Sequence, residues 1–89
     1  SVMEEKPAIN VFSVYPVPVH DGYFTINFNV FIEGHVLLNV IDLTGKIVYT
    51  KDFLNPRRER IDLNNLERGI YSILISCKGK TELHKLLIQ

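Results

Sequence analysis

Residues 69–88, GIYSILISCKGKTELHKLLI, decide the fold class of this 89-residue chain. Ile70 to Cys77 is the most apolar stretch, and Thr81 to Ile88 carries apolar residues on both faces of an extended strand. Lys78-Gly79 between them is typical of a tight hairpin turn, because glycine accepts a positive φ at no steric cost. The stretch therefore predicts two long antiparallel strands.

Alternation of side chains assigns faces within this hairpin. In the second strand, Leu83 and Leu87 face one way and His84, Leu86 and Ile88 face the other. The first strand carries apolar residues on both faces. These residues are Ile70, Ile73, Leu74 and Ile75.

A second hairpin is predicted upstream, at Asp42-Leu43-Thr44-Gly45. An aspartate that bonds the backbone N–H groups ahead of it, with glycine at the end, is typical of a type I turn with a glycine bulge. The turn joins a strand from Val36 to Ile41 to one from about Lys46 to Phe53. Because the first of these is apolar on both faces, we expect it to be central in its sheet.

The remaining strands are shorter. A first strand over residues 9–15 is expected at an edge, because Pro16 and Pro18 lack the N–H that a ladder needs. After the Asp21-Gly22 turn, the next strand has four apolar residues on one face. These are Phe24, Ile26, Phe28 and Val30. A short strand from Arg60 to Leu63 directs Ile61 and Leu63 inward.

Composition agrees with an all-β fold. Val, Ile, Thr, Phe and Tyr make up 32 of the 89 residues and alanine occurs once, which is the bias of pleated, half-buried surfaces. Seven short strands with turns between them predict a seven-stranded antiparallel β-sandwich of immunoglobulin-like architecture over residues 9–89. Residues 1–8 are polar and contain Pro7, which is typical of a linker remnant.

Size and charge exclude several functions. A single domain this small buries about two-thirds of its unfolded surface and has little room for a deep catalytic cleft. Ten basic and ten acidic residues give no net charge, so the positive field used by nucleic-acid binders is absent. No run approaches the roughly 18 apolar residues of a membrane helix. These properties favour binding or signalling over catalysis.

The titratable residues do not form a catalytic or metal motif. His20, His35 and His84 lack the short spacing of zinc ligands, so we expect no metal site. Asp42 lies in a turn, where aspartate normally bonds its own backbone, and Cys77 ends an apolar strand, which favours a packed thiol over a nucleophile. We expect no catalytic residue and no cofactor.

Two surface features have simple interpretations. The basic cluster Arg57, Arg58 and Arg60 is interpreted as a solvated loop. The chain has no tryptophan, so only its four tyrosines could present aromatic faces to a sugar, and each tyrosine also has an ordinary packing role. These are Tyr15, Tyr23, Tyr49 and Tyr71.

Three stretches together resemble a known family. They are Asp42 to Val48 (DLTGKIV), Ile61-Asp62-Leu63 followed by Leu66 to Tyr71 (LERGIY), and Lys85 to Gln89 (KLLIQ). In this order and spacing they resemble the C-terminal sorting domain (type A) of Bacteroidetes proteins exported by the type IX, or Por, secretion system. The resemblance extends from about Asn10 to Gln89.

The sequence departs from the family pattern at two places. Tyr15-Pro16-Val17-Pro18 has valine where the family usually has the asparagine of Tyr-Pro-Asn-Pro. Both prolines remain, but the turn-capping amide of the asparagine is lost. Arg68 stands where a small residue is common.

The resemblance implies a non-catalytic address label at the end of a larger secreted protein. Type IX translocon components would recognise the domain in the periplasm and carry the upstream cargo domain across the outer membrane. A surface sortase would then remove the domain, with the cut in or beside residues 1–8. The destination would be the cell surface or the extracellular space.

The resemblance also implies roles for individual residues. Asp42, Gly45 and Leu66 would have structural roles in turns, and Gly69 and Tyr71 would belong to the recognised signal. The other recognised residues would be those of the last strand, Lys85, Leu86, Leu87, Ile88 and Gln89. A receptor could read that strand by strand addition or by capture of its end, whereas in the simplest alternative Lys85 only protects a sheet edge.

A competing hypothesis is a structural or adhesive sandwich that binds glycan or packs on a neighbouring domain of a secreted protein. An exposed aromatic row or apolar patch on one sheet would favour it.

Overall fold

The computed structural model describes residues 12–89. The predicted linker over residues 1–8 and the first residues of the predicted first strand lie outside the described residues. Between residues 12 and 89 there are seven strands and no helix. The strands are β1 (Phe12–Tyr15), β2 (Tyr23–Phe28), β3 (His35–Ile41), β4 (Ile47–Leu54), β5 (Arg58–Asp62), β6 (Gly69–Cys77) and β7 (Lys80–Ile88).

The strands form two antiparallel sheets. The three-stranded sheet has the order β1-β2-β5, and the four-stranded sheet has the order β4-β3-β6-β7. The predicted all-β sandwich is therefore confirmed, with β1 at an edge and β3 inside its sheet. The last hairpin is the longest pairing, with nine residue pairs from Gly69↔Ile88 to Cys77↔Lys80 and no register shift.

One core lies between the two sheets and follows the period-2 alternation of the strands. Phe24, Ile26 and Phe28 of β2 are buried against the alternate residues of the four-stranded sheet. The buried residues of that sheet are Val36, Leu38, Val40, Phe53, Tyr71, Ile73, Ile75, Leu86 and Ile88. Ile61 and Leu63 are also buried, as their alternation predicts.

Two predictions about local structure are wrong. Val30 does not continue the buried face of β2, because the strand ends at Phe28 and Val30 is exposed in the connection that follows. The basic cluster is not entirely a loop: Arg58 begins β5, and Arg60 lies in the predicted short strand. They belong to β5 and pair with Asn27 and Thr25 of β2, although their side chains stay exposed.

The predicted turns are present. At the β3–β4 turn the Gly45 N–H donates to the Asp42 carbonyl at 3.0 Å, and Gly45 has a φ of 90°. The Asp42 N–H donates to the Lys46 carbonyl at 2.9 Å, which completes the bulged hairpin. At the β6–β7 turn both Lys78 and Gly79 have positive φ, as a two-residue hairpin turn requires.

Candidate functional site

The residues singled out by the family resemblance gather at one end of the four-stranded sheet. Register places Ile41 opposite Ser72 and Ser72 opposite Lys85. The Asp42–Gly45 turn, the start of β6 and the last residues of β7 therefore lie side by side at this end. The structure thus brings together three stretches that are far apart in the sequence.

The residues of the last strand divide into two groups. Leu86 and Ile88 lie on the inner face of β7 and are 0% and 5% exposed, and Tyr71 is also buried. Lys85 and Leu87 lie on the outer face, where Lys85 is exposed and Leu87 is half-buried. A partner outside the domain can therefore reach Lys85 and Leu87, whereas the buried residues contact the core.

Val19, which lies in none of the predicted strands or motifs, holds the end of β7. Its N–H donates to the Leu87 carbonyl and its carbonyl accepts from the Gln89 N–H, both at 2.8 Å. The side chain is fully buried, and the pairing with β7 is parallel. The chain after β1 thus leaves the three-stranded sheet and joins the edge of the four-stranded sheet.

Two prolines occupy this crossing. Pro16 and Pro18 both follow cis peptide bonds. Because proline donates no hydrogen bond, the ladder of β1 ends here and pairing resumes only at Val19. Position 17, where the family usually has asparagine, carries an exposed valine between the two prolines. The only available signal for Val19 was an apolar residue directly after the prolines.

Tyr71 forms a corner with the loop before β6. Its hydroxyl donates to the Glu67 carbonyl at 2.7 Å, four residues upstream. Gly69, with a φ of 152°, adopts a conformation that favours glycine, and Leu66 packs partly buried against the core. This arrangement is the tyrosine corner of immunoglobulin-like sandwiches. Tyr71 thus contacts the domain's own backbone.

Asp42 stabilises the neighbouring turn. Its Oδ1 accepts hydrogen bonds from the Thr44 hydroxyl at 2.6 Å, the Thr44 N–H at 2.9 Å and the Lys46 N–H at 3.0 Å. The bond from the Thr44 hydroxyl, followed by that from the Lys46 backbone, lowers the pKa of the Asp42 carboxyl below its ordinary value of 3.8. The carboxylate is therefore engaged in holding the turn.

The outer face of the four-stranded sheet carries exposed apolar side chains. Leu83 on β7 is 62% exposed, and it lies opposite Leu74 of β6. Leu37, Ile47 and Ile70 are 40–54% exposed. Apolar side chains thus recur across the outer face on all four strands.

A small polar group lies at the flank between β1 and β7. His84 Nε2 lies 2.9 Å from Glu82 Oε2, and the His84 ring packs on Phe12 with 4.3 Å between ring centroids. Both polar side chains are about one-third exposed. β7 directs both residues toward the interior of the sandwich, and the contact between them provides each polar side chain with a partner. The pairing therefore has a structural explanation.

Polar and charged side chains in the described part of the chain are exposed or half-buried. No polar or charged residue between positions 12 and 89 is buried, and no three metal-ligating side chains cluster there. Cys77 is half-buried against the core. Within the same residues, no helix could cross a membrane. A shallow surface depression is lined by Asn27, Phe28, Asn29, Val30, Phe31 and Arg57.

The two sheets, the crossing at Val19 and the tyrosine corner define an immunoglobulin-like sandwich domain. The family model of the secretion system C-terminal sorting domain matches residues 13–89, and the chain belongs to this family. A search of the curated proteins gave no match. As a type IX sorting signal, the domain implies a cargo in the same chain, interaction with the secretion machinery, and secretion to the cell surface or the extracellular space.

Proposed function

We propose that the domain is a non-catalytic address that takes its cargo from the periplasm across the outer membrane. The match of residues 13–89 to the sorting-domain family carries this proposal. A surface sortase then removes the domain, cutting in or beside residues 1–8. The absence of a buried polar group among residues 12–89 supports a role in recognition over one in chemistry.

Within this proposal, the signal residues divide according to their burial. Leu86, Ile88 and Tyr71 maintain the fold, since their side chains are buried. Lys85 and Leu87 on the outer face of β7, together with the exposed Gln89, contact the translocon. Gly69 acts through the corner conformation that only glycine adopts without strain.

The proposal is tested with a reporter that carries a signal peptide and residues 1–89 in a Bacteroidetes host with a type IX system. We expect the reporter at the cell surface, and in the periplasm when the domain is omitted. Surface display that does not depend on the domain would contradict the proposal. Deletion of Lys85–Gln89 is a poor test of recognition, because it also removes Leu86 and Ile88 from the core.

Point variants separate recognition from folding. Lys85→Glu reverses an exposed charge on the outer face of β7, and Lys51→Glu reverses an exposed charge on β4, on the face that also carries Phe53. We expect Lys85→Glu to reduce surface display while Lys51→Glu leaves it near wild type. Equal surface display of the reporter for the two folded variants would show that the translocon does not recognise Lys85.

A second candidate function is favoured by the exposed apolar side chains of the outer face. Here the domain packs as an accessory module on a neighbouring domain of the same protein. This function predicts that Leu83→Asp exposes the cargo to proteolysis without changing export. Glycan binding by tyrosines has less support, because the Arg60 guanidinium lies 3.8 Å from the Tyr23 ring centroid and covers one face of that ring.

A further inference from the structure

The backbone groups of β7 are available for pairing over part of its length. The Leu87 carbonyl and the Gln89 N–H point away from β6, because both bond to Val19. Backbone groups alternate in direction along a strand, so those of Thr81, Leu83 and Lys85 point the same way. No strand among residues 12–89 pairs with them. This segment, Thr81–Lys85, is an open edge, and Val19 closes the edge beyond it.

The other three outer strands are less suited to pairing. β1 has four residues and is followed by Pro16 and Pro18, and β5 has five residues and lies just after Pro56. β4 has a register shift against β3 between Val40 and Ile41. Short length, proline and bulges are three of the features that protect sheet edges, and charged side chains are another. β7 has nine residues, no proline and no bulge, so the backbone of this edge lacks the first three of these protections.

Side chains beside the open edge indicate the chemistry of a segment that could pair with it. Lys78, Lys80 and Lys85 are exposed, and the acidic Glu82 is already paired with His84. Leu83 presents an apolar surface beside Lys85 on the outer face. A second copy is disfavoured, because edge-to-edge pairing would bring the lysines of both copies to one seam. Charge complementarity favours an acidic strand with an apolar residue near Leu83.

We propose that the secretion machinery adds an extended, acidic and apolar segment to the Thr81–Lys85 edge as an eighth strand. The inference rests on the proposed sorting function and identifies the surface that the secretion machinery recognises. Backbone hydrogen bonds to Thr81, Leu83 and Lys85 hold the segment, and its apolar side chain packs beside Leu83. Val19 sets the limit of pairing, because it already occupies the Leu87 carbonyl. A pairing this short suits a transient contact that must be released after transport.

Proline at position 83 tests the backbone pairing. Leu83→Pro removes an N–H that points away from β6, so no hydrogen bond within the domain is lost. Thr50→Pro is the matched control on β4. The Asn55 N–H donates to the Gly34 carbonyl of the β3 side, so alternation directs the Thr50 N–H outward as well. Circular dichroism and urea unfolding of purified residues 1–89 establish that each variant is folded.

Surface display of the reporter is then compared for the folded variants. We expect Leu83→Pro to reduce display about tenfold relative to Thr50→Pro, the effect of losing about 1.4 kcal/mol of binding free energy. Equal display would overturn strand addition and leave the sorting function intact. Failure of the unsubstituted domain to direct export would instead overturn the sorting function itself.

Charge reversal provides a test that leaves the backbone unchanged, and it decides the question if Leu83→Pro does not fold. Lys80→Glu combined with Lys85→Glu makes the edge acidic, and Lys46→Glu combined with Lys51→Glu makes the same change on the β4 side. We expect the first pair to lower display and its effect to diminish at high ionic strength in a permeabilised-cell assay. Equal display for the two pairs would contradict recognition of an acidic segment.

Discussion

Leu83 and Leu86 are the same residue type on one strand, three positions apart, and their environments are opposite. Leu86 faces the other sheet and is fully buried, whereas Leu83 faces outward and is 62% exposed. The four-stranded sheet therefore has one face that packs in the core and stabilises the fold, and another whose apolar residues remain available for contact with a partner. Apolar residues of the last strand therefore either pack in the core or form part of the exposed outer face.

The outer face of the three-stranded sheet extends the comparison. Its residues are mostly polar, and they satisfy one another: Ser13 and Asn27 both donate to Asn29 Oδ1, at 3.1 and 3.2 Å. Arg60 lies over Tyr23 and bonds Asp62. Of the two outer sheet faces, that of the four-stranded sheet therefore carries more exposed apolar side chains.

The sharpest test of this comparison is truncation of the two leucines. Leu86→Ala creates a cavity in the core and is expected to cost about 3 kcal/mol of unfolding free energy. Leu83→Ala is expected to change it by less than about 0.5 kcal/mol, because its side chain is largely in water. Urea unfolding of purified domain measures both. Similar losses for the two variants would refute the assignment of faces.

A second prediction concerns the corner at the inner face. Tyr71→Phe removes the hydroxyl that donates to the Glu67 carbonyl. We expect this substitution to lower the free energy of unfolding by about 1 kcal/mol. Tyr49→Phe is the control, since Tyr49 packs against the same core and forms no hydroxyl hydrogen bond within residues 12–89. If the two substitutions lower the free energy of unfolding equally, the corner hydrogen bond does not contribute to stability.

A third prediction uses the Asp42 turn. Because hydrogen bonds lower the pKa of this carboxyl in the folded state, its stabilising contribution is complete above the ordinary value of 3.8. The contribution is lost as the pH falls through the lower pKa of the folded state. Asp42→Asn is therefore expected to destabilise the domain at pH 7 and to reduce the loss of stability on acidification. Unfolding curves between neutral and strongly acidic pH test this, with Asp52→Asn as the control.

The smallest effect is expected on the polar outer face. Arg60 and Asp62 form an ion pair at 3.1 Å with both side chains more than half exposed. Asp62→Asn should change the unfolding free energy by about 0.5 kcal/mol or less, since solvent screens exposed pairs. The effect should vanish in about 1 M salt. A loss comparable with that of Leu86→Ala would contradict the division between core and surface.

Much of the fold was predictable from local pattern. Apolar alternation located all seven strands, and Asp42 to Gly45 gave both a turn position and its type. The errors arose where pairing continues or stops for nonlocal reasons. Arg58 lacks strand-like character but pairs with Asn27 across the sheet, and Val30 follows the alternation of β2 although the strand has ended.

The candidate site was less predictable. The resemblance assigned Leu86, Leu87 and Ile88 to one recognised segment, but alternation alone could not tell which face of β7 would be covered. The role of Val19 was missed because its partners, Leu87 and Gln89, lie near the other end of the chain.

The strands and turns follow from local sequence, since strand alternation and turn chemistry act between residues close in the chain. The sequence also carried the family membership, through motifs whose order and spacing can be read directly. Packing of the two sheets sets which face of each strand is covered, and the Val19 bridge closes one part of the β7 edge while Thr81–Lys85 pairs with no strand among residues 12–89. Those features depend on contacts between distant segments, which form only when the two sheets pack together.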